Sequence, residues 1–245
     1  MSEMEKPVFY VQQRDIVLPG DLVGEGKIET NSLYIYNIGN KYYSSIIGMV
    51  EIKDDKLFFY PKEQIYIPKP NDLVIGLITD VGPTYWDVDL NSPYEGQLPV
   101  SETPLRQTHA TVDTMRKFLS IGDFVALKVL SFDRLRDPLL TMRGKGLGKI
   151  YGGKVIDIAQ HAVNSLINRK RALVEAIVKE TKTEILISNN GRVWIKGTDS
   201  ILEDLAVLAI KKLESVDLYS ITSSEIINFI QIEKQKRGIG DVAQQ

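Results

Sequence analysis

The 245-residue chain contains no cysteine and only two histidines, His109 and His161. Disulfides and thiolate metal sites are therefore excluded, and a zinc site would have to be assembled mostly from carboxylates. No apolar run approaches the length needed to span a bilayer. Met1 to Val11 lacks the basic-then-apolar pattern of a secretion signal, so an intracellular, cytoplasmic setting with no membrane partner is expected. Charge of one sign is also missing: 30 Lys and Arg against 32 Asp and Glu leave a net charge of -2, which argues against a uniformly basic nucleic-acid binder. What is present is ordinary globular material, 43% hydrophobic and 25% charged, enough for one large or two to three compact domains.

The balanced total hides an asymmetry. Asn71 to Leu105 holds six acids (Asp72, Asp80, Asp87, Asp89, Glu95, Glu102) and no base. Arg106 to Lys149 holds nine bases (Arg106, Arg116, Lys117, Lys128, Arg134, Arg136, Arg143, Lys145, Lys149) against four acids. Such a switch can give a near-neutral protein a basic face, or simply a solvated surface of mixed charge.

Residues 1–70 read as an all-β domain. Pro19-Gly20, Gly39-Asn40 and Asp54-Asp55 mark turns between short alternating strands, and "YIPKPND" marks the boundary. Residues 71–145 hold five strand candidates, "DLVIGLITDVG", "YWDVDL", "EGQLPVS", "DFVALKVLSFD" and "PLLTM". The long third connection, with a helix over Val112–Leu119, points to a five-stranded OB-fold β-barrel. In "YWDVDL", Trp86, Val88 and Leu90 share the core face. Asp87 and Asp89 share the other, as a solvated strand face or a metal-chelating pair.

The glycine-rich "MRGKGLGKIYGGK" lacks the Gly-Lys-Ser/Thr ending of a Walker A loop and does not match GxGxxG, so it reads as an interdomain joint. Residues 150–236 follow the order strand, helix, helix, strand, strand, helix of a small α+β module, and 237–245 form a flexible tail. A helix over Asp199–Glu214 is expected to start with a Ser200/Glu203 capping box. Its apolar stripe is read as Ile201, Leu202, Leu205, Leu208, Ala209 and Leu213. Another helix begins at Ser223. Between "TEILIS" and "RVWIKG", Asn190-Gly191 is a strong two-residue hairpin signal.

Three strings, "VLPGDLVGEG", "YIPKPNDLVIGLITDVGPTYWDVDLNS" and "ISNNGRVWIKG", resemble the RNA-binding cap subunit of the archaeal exosome, the homologue of eukaryotic ribosomal-RNA-processing protein four. The likeness extends over nearly the whole chain. It implies an N-terminal β-domain that docks on a ring, an OB domain like that of ribosomal protein S-one, and an α+β KH domain. It also implies a non-catalytic subunit without cofactors. Three copies would sit on a hexameric ring of RNase-PH-type subunits that degrades RNA 3′ to 5′ with phosphate, and would guide single-stranded 3′ ends into it. The family's other archaeal cap protein carries a zinc ribbon, which the absence of cysteine argues against here.

Two features depart from the family pattern. The stacking aromatics usual on such an OB barrel fall at Asp87 and Pro99, so RNA contact is expected to be electrostatic, through Arg106, His109, Arg116, Lys117, Arg134 and Arg136 on loops around one barrel mouth. The KH GxxG loop falls at Asn168-Arg169-Lys170-Arg171, without either glycine. Arg169, Lys170 and Arg171 would touch phosphates by charge, or form an exposed junction or protein-contact patch. The Asn189-Asn190-Gly191 turn corresponds to a family motif thought to pack between the KH and OB parts, which makes it architectural. Two rivals remain: a stand-alone OB/KH RNA-binding regulatory factor, and a metal-dependent nuclease, for which two histidines and one Asp-x-Asp pair are the only material.

Overall fold

The structure, a computed structural model, describes residues 7–30, 32, 34–62, 65–105, 111–133, 135–168, 171–215 and 221–238. The chain divides into two compact units, Met1–Gln64 and Ile65–Gln245.

The first unit is two four-stranded sheets. One contains β1 (Val8–Phe9), β3 (Leu22–Glu25), β6 (Lys41–Ser44) and β5 (Ile35–Ile38), in that order. The other is ordered β2 (Ile16–Val17), β7 (Gly48–Lys53), β8 (Lys56–Pro61), β4 (Glu29–Thr30). Val17, Val23, Ile28, Ile35, Val50, Leu57 and Phe59 form its core. The Asp54-Asp55 turn joins Lys53 directly to Lys56, with φ of 52° and 57° at the two aspartates. Both values lie in the left-handed region that a type I′ hairpin turn requires.

The second unit begins with the barrel. Its strands are β9 (Leu73–Val81), β10 (Tyr85–Asp89), β11 (Glu95–Pro99), β12 (Phe124–Ser131) and β13 (Leu139–Thr141). They run β13-β11-β10-β9-β12, and a β12–β13 pairing closes the ring. This is the closed five-stranded barrel that the strand pattern predicts. Alternation decides what lies inside: Trp86, Val88 and Leu90 are each fully buried, while Asp87 and Asp89 face outward. α1 (Val112–Phe118) plugs one end, burying Met115 and the following Leu119. The Trp86 indole N–H donates to the Leu119 carbonyl at 3.1 Å, so the one polar atom of this large buried side chain is satisfied.

The glycine-rich segment is more than a joint. Gly148–Lys149 forms β14 and adds to the far side of β12, pairing Val125 with Lys149 and Ala126 with Gly148.

The remaining fold is β15 (Lys154–Asp157), α2 (Gln160–Asn168), α3 (Arg171–Thr181), β16 (Glu184–Ile187), β17 (Arg192–Lys196), α4 (Ser200–Ser215) and α5 (Ser223–Lys236). The three-stranded antiparallel sheet is ordered β15-β17-β16. Val193 and Ile195 of the sheet pack with Leu166, Leu173, Ile177, Ile210, Leu213, Ile226 and Ile230 of the helices.

Two details differ from the sequence reading. The buried face of α4 is Leu205, Ala206, Ala209, Ile210 and Leu213, whereas Ile201 and Leu208 are exposed. That set, i, i+1, i+4, i+5 and i+8, covers about 140° of the helix surface at 100° per residue, as wide as the stripe read from sequence but rotated by about 60° away from Ile201 and Leu208. The α4 cap is Asp199, whose Oδ1 accepts from Ile201 N at 3.0 Å, while Glu203 reaches back to Gly197 N at 3.0 Å instead of pairing with Ser200. α5 carries a full capping box, Thr222 with Glu225. Of the tail read as flexible, Arg237 and Gly238 finish α5 and the residues beyond lie outside those described.

Candidate nucleic-acid interface

The outer face of the barrel is assembled by register. Asp87 lies opposite Gln97 on β11 and opposite Asp80 on β9, and Tyr85 lies opposite Pro99. Burial, then Glu95, Asp80 and Asp137, push the Asp87 carboxyl above the ordinary range. A face with that concentration of negative charge opposes a phosphodiester backbone. Tyr85, half-buried, keeps one aromatic ring on this face, displaced by two residues from Asp87; the outward parity of residues 85, 87 and 89 was the signal for it.

Asp87 and Asp89 do not act as a pair. Asp89 accepts from the Arg192 guanidinium, and among the described residues no group of three or more His, Asp or Glu is placed to hold a metal. Because its carboxyl sits above the usual value in the folded state, Asp87 lowers stability once ionised. That penalty is present above the folded pKa and vanishes below the unfolded one, near the ordinary aspartate value of 3.8. Asp87→Asn is therefore expected to raise stability slightly at pH 7, by no more than about 0.5 kcal/mol for so solvated a group, read as a small rise in melting temperature, and to have no effect near pH 3. Equal shifts at both pH values would show that charge is not the cause.

The basic residues are distributed differently from the single mouth expected. Arg116 and Lys117 form the last turn of α1, exposed to solvent. Arg136 is exposed on the β12–β13 loop, where Asp133 Oδ1 accepts from Leu135 N at 3.0 Å and Arg136 N at 3.1 Å. These segments attach to opposite ends of β12, an eight-residue strand that spans about 26 Å. Arg106, His109 and Arg134 lie outside the described residues. At the α2–α3 junction Arg169 and Lys170 also lie outside them, while Arg171 opens α3 and pairs with Glu175 at 3.2 Å on the helix surface.

Asn189-Asn190-Gly191 sits against the barrel, and β9 explains why. Beside Leu77 and Ile78, β9 pairs with β10, but β10 ends there, leaving the Leu73 and Ile75 backbone groups on that side without a ladder partner. The turn supplies them. Asn189 N donates to Leu73 O at 2.7 Å, and Leu73 N donates to Asn189 Oδ1 at 3.0 Å. Ile75 N donates to Asn190 Oδ1 at 3.2 Å, and Asn190 Nδ2 donates to Ile75 O at 2.9 Å and Leu90 O at 2.8 Å. Asn190 is fully buried. Arg192, which the sequence reading missed, reaches the same edge. Its guanidinium donates to Ile75 O at 3.1 Å and Asp89 O at 2.7 Å, pairs with the Asp89 carboxylate, and lies 5.7 Å from the Phe124 ring centroid. Gly191 has φ of 81°, and a Cβ there would stand 2.8 Å from the Ile158 carbonyl, so only glycine fits.

Fold and site together define a multidomain OB-barrel protein whose barrel is bonded through one asparagine turn to a small α+β domain. The comparisons agree. Residues 14–61 match the family described as the N-terminal domain of the exosome RNA binding protein RRP4, and residues 65–131 match the RRP4 S1 domain. The chain is 38% identical over 230 residues to the exosome complex component Rrp4 of Sulfurisphaera tokodaii, covering 93% of each chain. It is 37% identical over 248 residues to that of Ignisphaera aggregans, covering 98% of each. A crystal structure described as an exosome complex RNA-binding protein, 37% identical, superposes with a TM-score of 0.64 over 71% of this chain and 99% of that one. The chain belongs to the Rrp4 family.

Proposed function

We propose that this protein is a non-catalytic, RNA-binding cap subunit of an archaeal exosome, working in the cytoplasm on single-stranded 3′ ends. The carrying observation is the 38% identity to an exosome complex component Rrp4 across 93% of both chains. The S1-type barrel offers the RNA-facing element, and exposed cations on α1 and the β12–β13 loop give it charge for phosphates. The strand-helix-helix-strand-strand-helix part is read as a KH module whose asparagine turn is given to the barrel edge.

The N-terminal unit suits docking on ring subunits. Across its β2-β7-β8 sheet the register aligns Ile16, Met49 and Tyr60 in one outward row, with Ile16 73% and Tyr60 45% exposed. An apolar row with no basic residue in it favours a protein surface over RNA. Three such subunits on a hexameric RNase-PH-type ring would put three barrels around one entrance.

RNA decay by the ring subunits, with and without this chain, tests the reading. Faster or more processive 3′-to-5′ decay, with co-elution of the chain and ring, is the expected result. Unchanged decay with separate elution would leave a stand-alone OB-fold RNA-binding factor.

A further inference from the structure

The "RGKGLGK" segment was assigned no chemistry by its sequence, yet it lines an open cleft. With a volume of about 540 Å³, this cleft falls within the range of small-ligand sites. Phe118 and Met142 contribute apolar surface, Lys117, Arg143 and Lys149 contribute charge, and Tyr151 stands at the edge. Tyr151 is 67% exposed, a large aromatic surface left in water. Lys149 is held by Asp123 at 2.5 Å, with its ammonium 5.7 Å from the Tyr151 ring centroid. Lys117 and Arg143 have no carboxylate partner among the described residues, and no acid lines the cleft.

We propose that this cleft is a nucleotide subsite for single-stranded RNA, with a base stacked on Tyr151 against the apolar surface and its phosphate held by Arg143 and Lys117. The proposal deepens the RNA-binding reading above and rests on it. Each element has a reason. A flat base gains from an exposed ring and an apolar surface, and an unpaired cation beside them gains from a phosphate. The acidic outer face of the barrel, where such proteins commonly stack bases, turns the strand away toward this basic side. An acidic protein segment would use the same cations but has no need of the ring.

Binding of a fluorescein-labelled oligoadenylate to the full-length protein, followed by anisotropy over a salt series, tests it. Tyr151→Ala is expected to weaken binding about 5- to 100-fold, the effect of losing one stacked base, with Tyr151→Phe close to the parent. Arg143→Ala is expected to flatten the slope of log affinity against log salt by about 0.7, one phosphate contact on a single strand. Tyr151 is exposed, so the variants are expected to melt with the parent. Parent-like affinity for Tyr151→Ala, on RNA that the parent binds, overturns the subsite while leaving the RNA-binding reading intact. Parent-like RNA affinity with loss of ring association overturns it in favour of a protein contact. A parent that binds no RNA, alone or on the ring, removes both.

Discussion

Asn190→Ala is expected to destabilise the second unit by about 3 kcal/mol or more, seen as a fall of ~10 °C in its melting temperature. The substitution deletes three hydrogen bonds to the barrel backbone, at Ile75 N, Ile75 O and Leu90 O, in a site closed to solvent. An orphaned buried backbone group costs about 1–3 kcal/mol, and the hydrophobic content of the alanine methyl returns little of it. Asn190→Asp sharpens the test: it keeps an acceptor for Ile75 N but sets a carboxylate against two carbonyl oxygens, so it is expected to be at least as costly. RNA affinity below the transition is expected to stay within a few-fold of the parent. A variant that melts normally but loses RNA would assign the turn to the ligand instead of the barrel.

The largest effect on binding is expected from reversing charge at Arg116, Lys117 and Arg136. These side chains are exposed at α1 and the β12–β13 loop, away from the packed interior, so Arg116→Glu, Lys117→Glu and Arg136→Glu together should leave the fold intact. Each phosphate contact on a single strand contributes about 0.7 to the salt slope, so losing three flattens it by ~2. With binding curves that converge near 1 M salt, this corresponds to about a 100-fold loss at 0.1 M, and added repulsion increases it. Equal affinity and an unchanged slope would remove both segments from the RNA path.

The barrel was legible in the sequence because alternation is a local signal. "YWDVDL" places Trp86, Val88 and Leu90 inside on parity alone, and the Asp54-Asp55 turn follows from the tolerance of aspartate for positive φ. What was not legible depended on register or on distant partners. β14 pairs through Gly148 and Lys149, residues with no strand preference, because β12 offers an unpaired edge. Nothing in the sequence singled out Arg192; its burial follows from Ile75 and Asp89, more than 100 positions earlier in sequence. The separation of Arg116 and Lys117 from Arg136 depends on which end of β12 each segment joins, information that a list of charges lacks.

The asparagine turn also bears on when the protein becomes complete during synthesis. The barrel strands end at Thr141, but the partners of Leu73 and Ile75 arrive only with Asn189, Asn190 and Arg192. A chain emerging N-terminus first can close its barrel well before those residues exist, with the open edge of β9 hydrated in the interval. Contacts of that sequence separation come late because loop closure must precede their reward. Truncation just after Met142 would thus leave the β9 edge exposed and pairing-competent, together with the β12 edge that β14 otherwise covers, prone to recruiting a strand from a neighbouring chain. In that sense the C-terminal domain serves the barrel as an intramolecular chaperone that never leaves.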